Sequence, residues 1–543
     1  MRSWLTGLMR GECPKEAAFF SGKREDRSAL DVWALWLGLG MLVVGVSCRL
    51  HVYLLSFPIW RDEAALALNF VSRDFRGLLR ELDNFQVAPL LFLWIEKAIY
   101  QCLGGSVPLL RLVPLLAGVM ALMLFGRLAR LSLTPLPAAL ALGFLAVAQT
   151  PIHLASMVKP YSLDLFAATL LLTLAVSYLR APDRFGSLAA LALVIPFVVA
   201  SSYPAIFVAG AVSLVLAPVV WRRSSRAGRC WFVAFNVLCA ATFAAQLRLV
   251  GGDGHDPTLP TVQAYMAGFW NGGFLPRAPL SALRWIVRSH TGHMFSYPLA
   301  FNGGGLLGLL LALAGGHALY RQRQFALLGL CLLPFALNFV AAMLHRYPYA
   351  GDQRLEQHLV PGLCLLLGSG VAEGIRRLTN RRLVAGAVAG LLVVIALTGA
   401  VQDALHPYHD AEAAWARDIA QHLRRELRGQ DRIAFHYTDR FYLNCLRWQL
   451  LPFAEQSCFV GEIDWPRFQL GDGRLWMIDQ MLEIAPAHQE PATRDPNRTI
   501  AEGERKRWRA ISCTRFLTRQ PASSSEQRVY YYCCDLHVLE RAL

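Results

Sequence analysis

Charged residues are scarce in this chain. Asp, Glu, Lys and Arg make up 17% of its 543 residues, whereas a soluble domain carries roughly a quarter. Hydrophobic residues reach 55%, and they fall into many runs close to the ~20 apolar residues needed to cross a bilayer core. The scarcity of charge excludes an ordinary soluble protein and indicates a chain that crosses a membrane many times.

Several chemical signatures are missing as well. The chain has no P-loop, no Rossmann glycine fingerprint, no HExxH and no cysteine pair with metal-ligand spacing. The net charge of +15 does not indicate nucleic-acid binding, because most arginines form short clusters between the apolar runs, several of them in alternate loops. That distribution is typical of positive-inside topology, so we expect no nucleic-acid partner.

The apolar runs predict a polytopic α-helical membrane protein with about 11 spans. These lie near residues 32–54, 108–129, 135–150, 161–179, 186–201, 204–221, 230–249, 299–319, 325–344, 355–375 and 383–401. The arginine clusters share one side with the basic N-terminal segment 1–31, which is therefore cytoplasmic. We expect the first run to be kept as a helix rather than removed as a signal peptide. An odd number of spans places the C-terminal end outside, as in a multi-pass protein of a bacterial-type inner (plasma) membrane.

The membrane region, residues 32–401, has two long outer loops, residues 55–107 and 250–298. In the first loop, apolar residues recur at helical spacing and predict an amphipathic helix in the membrane interface: Leu68, Val71, Phe75, Leu78 and Leu82. Residues 89–102 predict a second short juxtamembrane helix.

Residues 410–543 predict a small extracytoplasmic α/β domain. An apolar repeat of four residues from Trp415 to Leu427 indicates a helix, and residues 433–437, 475–478 and 529–533 have the composition of strands. Five cysteines fall in this domain: Cys445, Cys458, Cys513, Cys533 and Cys534. An extracytoplasmic location is compatible with one or two disulfides, whose connectivity stays open.

The most informative polar motif is Trp60-Arg61-Asp62-Glu63, directly after the first span. A carboxylate at a membrane boundary can act as a general base and accept the proton of a hydroxyl group during group transfer. The alternative is structural, because acids in the first turn of a helix are favoured by the helix dipole. Spacing alone favours the structural alternative for Asp62 and Glu63.

A second motif, Lys159-Pro160-Tyr161 with Asp164, lies at the outer end of the fourth span. An ionisable group near the start of an apolar run is costly and often functional. Asp164 is equally well explained as an acid that favours a helix start.

A third motif, His345-Arg346-Tyr347 followed by Arg354, places cations on the outer side, against the positive-inside trend. Such cations suit a phosphate at the interface, since Arg can bind two phosphate oxygens at once. The alternative is that these side chains snorkel to lipid headgroups.

These motifs resemble those of the GT-C class of membrane glycosyltransferases, of the protein-mannosyltransferase and aminoarabinose-transferase type (glycosyltransferase family 39). The resemblance covers about residues 32–400. It is carried in chain order by RDEAALAL, NFQVAPLLFLWIEK, VPLLRLVPLLAG, VKPYSLDLF and HRYPYAGDQRLEQHLVPGL. No single string is as specific as a P-loop, but the five occur in the order that the family shows.

The resemblance implies both a reaction and its residues. Enzymes of this type transfer a sugar from a polyprenyl-phosphate donor outside the membrane. Asp62 matches the family's catalytic acid, Glu63 its common neighbour, and Asp164 an acid of the second loop. The chain departs from the family at Gln86-Val87-Ala88-Pro89, where paired prolines are usual, and this leaves the role of Gln86 open.

The implied mechanism is an inverting displacement in which Asp62 accepts the proton of an acceptor hydroxyl. Cations stabilise the departing lipid phosphate, and the candidates for binding it are Lys159, Tyr161, His345, Arg346, Tyr347, Arg354 and Gln86. The acceptor is a lipid, a glycan or a protein. No metal-ligand cluster is visible, and the use of a divalent metal, which varies among relatives, stays open.

A transporter or flippase of a lipid-linked molecule is the alternative from another class. Such proteins show internal repeats or broken helices with polar groups at mid-span. This sequence shows no repeat, and its charges cluster outside the spans, so the enzyme is favoured.

Topology gives the first testable prediction. Reporter fusions after Arg130, Arg184, Arg226 and Arg377 should report cytoplasm, and fusions after Tyr203, Asp352 and Asp410 should report the outside, because of the arginine bias. Alkaline phosphatase and fluorescent-protein activities measure the two outcomes. A cytoplasmic reporter after Asp410 would overturn the predicted location of the C-terminal domain.

Overall fold

The computed structural model describes residues 29–250, 264, 268–298, 304–406, 411–429, 431–437, 444–452, 457–459, 474–486, 508–521 and 528–541. The chain divides into two compact units. The first, which we call the helical unit, comprises residues up to Ser56 together with Arg73–Leu405. The second, which we call the α/β unit, comprises Phe57–Ser72 together with His406–Leu543.

The longer helices and the strands are numbered in chain order. The helices are α1 (Ala29–Leu55), α2 (Arg61–Ser72), α3 (Leu90–Leu103), α4 (Leu112–Ser132), α5 (Pro135–Ala146), α6 (Gln149–Leu154), α7 (Tyr161–Arg180), α8 (Gly186–Ser201), α9 (Ala205–Arg223), α10 (Arg226–Val250), α11 (Pro279–Thr291), α12 (Gly304–Arg321), α13 (Phe325–Met343), α14 (Val360–Arg376), α15 (Arg381–Leu405), α16 (Ala411–Glu426) and α17 (Asn444–Gln449). The strands are β1 (Arg432–Tyr437), β2 (Ser457–Phe459), β3 (Leu475–Pro486), β4 (Trp508–Pro521) and β5 (Arg528–Arg541).

The chain is a multi-pass helical membrane protein, as predicted. Within the described ranges, 7 helices are long and apolar enough to cross a membrane, and each predicted span coincides with a helix. The remaining four, α5, α8, α12 and α14, are shorter or less apolar, so the number of spans stays a prediction. Helix α14 begins at Val360 rather than near residue 355, because Pro361 favours the first turn of a helix.

The helical unit is held together by close contact between helices rather than by large side chains alone. Helix α14 packs against both α5 and α12. A Cβ atom added at Gly315 would overlap the carbonyl oxygen of Leu366, and one added at Gly370 would overlap that of Leu311. Lipid is as apolar as the helices, so tight packing between small residues takes over from the hydrophobic effect.

A buried arginine joins α1 to the end of α5. The guanidinium of Arg49 donates to the carbonyl oxygens of Gly45 at 2.8 Å, Ala146 at 3.3 Å and Leu145 at 3.3 Å. The last carbonyls of a helix have no partner within the helix, and a cation there is favoured by the dipole. Arg49 is therefore a structural cap of α5.

In the α/β unit, five strands form a mixed sheet in the order β2-β1-β3-β5-β4. Strands β2, β1 and β3 run parallel, and β5 pairs antiparallel with β3 and β4. Helix α16 packs on β4, β5 and α17. Helix α16 and strands β1, β3 and β5 lie at the predicted helix and strands, but β3 and β5 are longer than predicted, because each extends along the other from Leu475–Leu539 to Pro486–Arg528. The side chains of Cys458, Cys533 and Cys534 lie outside the described residues.

One buried carboxylate ties β1 to β3. Asp431 accepts hydrogen bonds from the backbone N–H of Arg474 at 2.9 Å and of Arg428 at 3.1 Å, and from the indole of Trp476 at 2.9 Å. Burial raises the pKa of Asp431, but these hydrogen bonds outweigh it and hold the pKa below its usual value. Its stabilising contribution is therefore present at neutral pH and is lost as the pH falls through that lowered pKa.

The first outer loop differs from its prediction. Helix α2 ends at Ser72, and the residues from Glu63 to Phe70 are buried on all sides. It packs against α17 within the α/β unit. A helix buried all round is a core element rather than an amphipathic helix on a surface.

Beyond α2, the apolar spacing does not continue as a helix. Arg73 pairs with Asp83, with 2.7 Å between Nη2 and Oδ1, and Asp74 accepts the backbone N–H of Gly77 at 2.6 Å. These contacts close turns and a short 3-10 helix, and Leu78 is buried from a turn. The predicted continuous helix through Leu82 is therefore wrong.

The glycine contact between α12 and α14 gives the second prediction. Gly370→Ala should lower the free energy of unfolding by about 1–3 kcal/mol, because the new methyl group meets backbone atoms that cannot move aside. Gly374→Ala on the same helix is the matched control: nothing lies within 4 Å of an added Cβ. It should be neutral or stabilising by up to ~1 kcal/mol.

Thermal unfolding of the two purified variants in detergent measures the difference. Equal melting temperatures for both would mean that α12 and α14 are not in tight contact.

Candidate functional site

Asp62 and Glu63 lie in the first turn of α2, in the α/β unit. Glu63 is buried, and its carboxylate accepts the backbone N–H of Trp60 at 3.3 Å. Trp60 directly precedes the helix, so this contact is the Glu half of a capping box. The geometry supports the structural alternative for Glu63. Asp62 is only partly buried, and the contact does not involve it.

In the helical unit, Lys159 and Gln86 form a buried pair. The Lys159 ammonium donates to Oε1 of Gln86 at 2.6 Å, and the Gln86 amide donates to the carbonyl of Asn84 at 3.2 Å. The hydroxyl of Tyr203 also donates to the carbonyl of Ala88 at 2.9 Å. These hydrogen bonds connect the loop before α3 to the turns before α7 and α9. They involve Gln86 and Ala88, so they hold the segment Gln86-Val87-Ala88-Pro89, where the chain departs from the family pattern.

Asp164 lies in the first turn of α7, five residues after Lys159. Its backbone N–H bonds to the carbonyl of Pro160 at 3.1 Å. Its side chain is buried, Ser202 neighbours the carboxyl group, and Oδ1 has no hydrogen-bond partner within the described part of the chain. A helix-start acid is ordinarily solvated, so this burial favours the functional interpretation of Asp164.

Tyr347, from the motif His345-Arg346-Tyr347, lies close to the motif that contains Tyr161 and Asp164. Burial raises the pKa of its phenol, and the neighbouring charges of Asp164, Tyr161 and Glu356 raise it further. The Tyr347 hydroxyl donates to the carbonyl of Leu355 at 3.0 Å. Tyr161, Asp164 and Tyr347, which were predicted from separate motifs, are therefore neighbours.

Two residues that the sequence analysis did not single out complete this group. The ring of His358 lies 6.1 Å from that of Tyr347 and 5.6 Å from that of Phe207, centroid to centroid. Oε1 of Glu356 and both ring nitrogens of His358 are buried and have no hydrogen-bond partner of good geometry among the residues described. We call these side chains the polar cluster, and we include in it the Lys159–Gln86 pair because Lys159 lies two residues before Tyr161 in the chain. Its members are Gln86, Lys159, Tyr161, Asp164, Tyr347, Glu356 and His358.

The remaining predicted cations lie differently. Arg354 is paired with Asp352, with 2.8 Å between Nη2 and Oδ2, and its guanidinium stacks on Trp270 at 5.6 Å. Arg346 is exposed, and the exposed ring of His345 stacks on Phe274 with centroids 5.3 Å apart. In the part of the chain that the structure describes, no ion pair joins Arg346 to the polar cluster.

The polar cluster has a chemistry that a packed core lacks. Buried polar atoms are nearly always hydrogen-bonded, yet Asp164, Glu356 and His358 each keep at least one unsatisfied atom. A cation, two carboxyls, an imidazole and two phenols together suit a ligand that carries phosphate or hydroxyl groups. Across the described residues, no three His, Cys, Asp or Glu side chains come together as metal ligands.

A signal for the missed residues was present in the sequence. Glu356 and His358 lie in HRYPYAGDQRLEQHLVPGL, directly before an apolar run. The rule that singled out Asp164, an ionisable group at the start of a span, applies equally to them. Ser202 has no such signal, because an isolated serine near a helix end is common.

The fold defines a class of protein: the chain has the GT-C glycosyltransferase fold, as the motifs indicated. Its similarity is to ArnT from Cupriavidus metallidurans in the apo state, with a TM-score of 0.51 and 15% identity over 91% of this chain and 98% of ArnT. ArnT from Cupriavidus metallidurans bound to undecaprenyl phosphate gives a TM-score of 0.50 and 14% identity with the same coverage.

More distant similarity extends to the oligosaccharyltransferase of Archaeoglobus fulgidus in the apo form. That protein shares 12% identity and gives a TM-score of 0.41 over 77% of this chain and 64% of its own. No protein-family model and no curated protein matches the chain. The comparisons therefore establish the fold, and the activity has to be argued from the residues.

Proposed function

We propose that this protein is a glycosyltransferase that moves a sugar from a polyprenyl-phosphate donor to an acceptor hydroxyl on the outer face of the membrane. The observation that carries the proposal is the polar cluster. A buried cation, Lys159, and a buried acid, Asp164, lie at one end of the spans in a chain with the fold of ArnT, a protein that binds undecaprenyl phosphate.

The proposed reaction is a single displacement at the anomeric carbon of the sugar. Asp62 accepts the proton of the acceptor hydroxyl, whose oxygen forms the new bond to that carbon. The bond to the lipid phosphate breaks, and the phosphate leaves with the electron pair, so the configuration inverts. The assignment of Asp62 is based on the family motif RDEAALAL. Glu63 supports the same turn through its bond to Trp60.

Lys159 is the proposed cation for the leaving phosphate. Lys159 is buried, and one of its hydrogen bonds goes to the neutral amide of Gln86. Arg354 already faces the carboxylate of Asp352, and a phosphate would have to compete with that pair. Arg346 and His345 are exposed, which suits first contact with the lipid headgroup rather than the reacting atoms.

The remaining members of the polar cluster are proposed to bind the sugar and phosphate oxygens. Asp164 and Glu356 accept hydrogen bonds from sugar hydroxyls, and Tyr161 donates to phosphate. Tyr347 donates its proton to the carbonyl of Leu355, so its oxygen accepts from a sugar hydroxyl. The acceptor is a lipid, a glycan or a protein. We place the protein in a bacterial-type inner membrane, with the α/β unit outside.

The proposed base gives the third prediction. Asp62→Asn keeps the size of the side chain and removes the base, so turnover should fall by about 10²–10⁴-fold. In cells, the polyprenyl-phosphate sugar should accumulate, which mass spectrometry of lipid extracts measures. The melting temperature of the purified protein should stay close to that of the wild type.

Glu63→Gln is the matched control on the same turn. Its amide oxygen can still accept the Trp60 N–H, so it should retain most of its activity, and any loss should appear as a small drop in stability. A wild-type rate for Asp62→Asn would refute the role of Asp62 as base.

The leaving-group cation gives the fourth prediction. Lys159→Met should weaken donor use by roughly 10- to 100-fold, because a charge-assisted contact is worth ~1.5–3 kcal/mol. Arg354→Ala should cost less, since the charge of Arg354 is already balanced by Asp352. Donor KM and kcat of the two variants decide the order. A larger loss for Arg354→Ala would assign the phosphate to the arginine instead.

A further inference from the structure

Helix α11, in the second outer loop, has three different sides. Trp285 is buried and its indole donates to the carbonyl of Gly272 at 2.8 Å, and Ser289, one turn on, is buried too. On a second side, Leu280, Leu283 and Val287 are exposed by 62%, 59% and 54%. These three are neighbours because steps of three and four residues return to one face of a helix.

The third side is cationic. Arg284 and Arg288 are four residues apart, exposed, and lie between the apolar side and the buried side. Arg277 is exposed just before the helix, and residues 268–298 contain no Asp or Glu. An apolar stripe with a row of arginines along its edge is complementary to an apolar phase bordered by anions.

Contacts on the buried side fix the rotation of α11. The hydroxyl of Tyr349 hydrogen-bonds to Nε2 of His290 at 3.1 Å, and the ring of Trp285 lies 6.1 Å from that of Tyr349. The helix cannot roll to cover its apolar stripe without breaking these contacts. The stripe is therefore a fixed feature of the helical unit, and the residues that the structure describes leave it exposed.

The end of α11 contacts the start of a neighbouring helix. Helix α12, a predicted span, begins at Gly304, and its Gly305 lies directly against the carbonyl oxygens of Thr291 and Gly292 at the end of α11. Leu306, Leu307 and Leu310 expose half of their surface from α12. Both helices thus expose apolar side chains close to this contact, at the end where the predicted span begins.

We infer that α11 is a membrane-interface helix that binds the glycerophospholipids of the leaflet at the Gly304 end of α12. Leu280, Leu283 and Val287 insert between acyl chains just below the headgroups, and Arg284 and Arg288 contact lipid phosphates. The inference goes beyond the proposed reaction and does not depend on it.

This arrangement sets the height of the loop that follows α13. The backbone N–H of Tyr349 donates to the carbonyl of Gly273 at 2.8 Å, and Phe274 stacks on His345. Gly273 and Phe274 lie a few residues before α11 in the chain. An α11 held in the interface therefore holds His345 and Arg346 at headgroup level. His345 and Arg346, which are both exposed, thereby acquire a defined position relative to the lipid headgroups.

Site-specific photo-crosslinking tests the inference. A benzophenone amino acid replaces Leu283, Val287, Ser281 or Leu310, one at a time, in the full chain in nanodiscs of phosphatidylethanolamine and phosphatidylglycerol without polyprenyl lipid. Ser281 is the matched control, since it is exposed on the cationic side of the same helix. Mass spectrometry should find several-fold more lipid adducts at positions 283 and 287 than at 281, and as many as at position 310.

A second arm tests the arginines. With Arg284→Ser and Arg288→Ser, the share of phosphatidylglycerol among the adducts at position 287 should fall by about fivefold per charge removed, while total adducts stay high. Equal adducts at 281, 283 and 287, or adducts to a second copy of the chain or to another protein, would overturn the inference. An unchanged share of phosphatidylglycerol would mean that Arg284 and Arg288 do not contact lipid phosphates.

Discussion

The absence of water from the hydrocarbon core is the constraint from which the rest of this structure follows. Every polar group placed there has to find its partner within the protein. Arg49 meets that demand by turning its guanidinium onto the last carbonyls of α5. The glycines of α12 and α14 serve the packing instead: because Gly315 and Gly370 have no side chain, the backbones of the two helices can touch.

The same constraint explains why ionisable groups gather at the ends of the spans. Asp164 enters the membrane region only in the first turn of α7, and Lys159 and Gln86 satisfy each other in the turns before α7 and α3. Glu356 and His358 precede α14 rather than lie within it. Chemistry on a lipid-linked substrate needs both a dry environment and polar groups, and the boundary between loop and span supplies both.

The sequence predicted well what depends on local composition. Apolar runs located the long helices, and residues with the composition of strands located β1, β3 and β5. It failed where tertiary contacts decide: α2 looks amphipathic by spacing, yet it is buried all round by partners distant in sequence. The sequence also did not show that Arg354, a predicted phosphate ligand, pairs with its neighbour Asp352. Glu356 and His358 carry the same signal as Asp164, because the span predicted for residues 355–375 begins beside them, but the sequence does not show that they lie next to Tyr347.

Helix α2 has a consequence for how such proteins can be recombined. More than three hundred residues of chain separate α2 from the rest of the α/β unit, which begins at His406. It nevertheless packs within that unit against α17. A chimera that exchanges only the chain after Leu405 would leave α2, which carries Asp62, packed against residues from another protein. The α/β unit is discontinuous in sequence. A functional exchange therefore has to include both residues 57–72 and the chain from His406 onward.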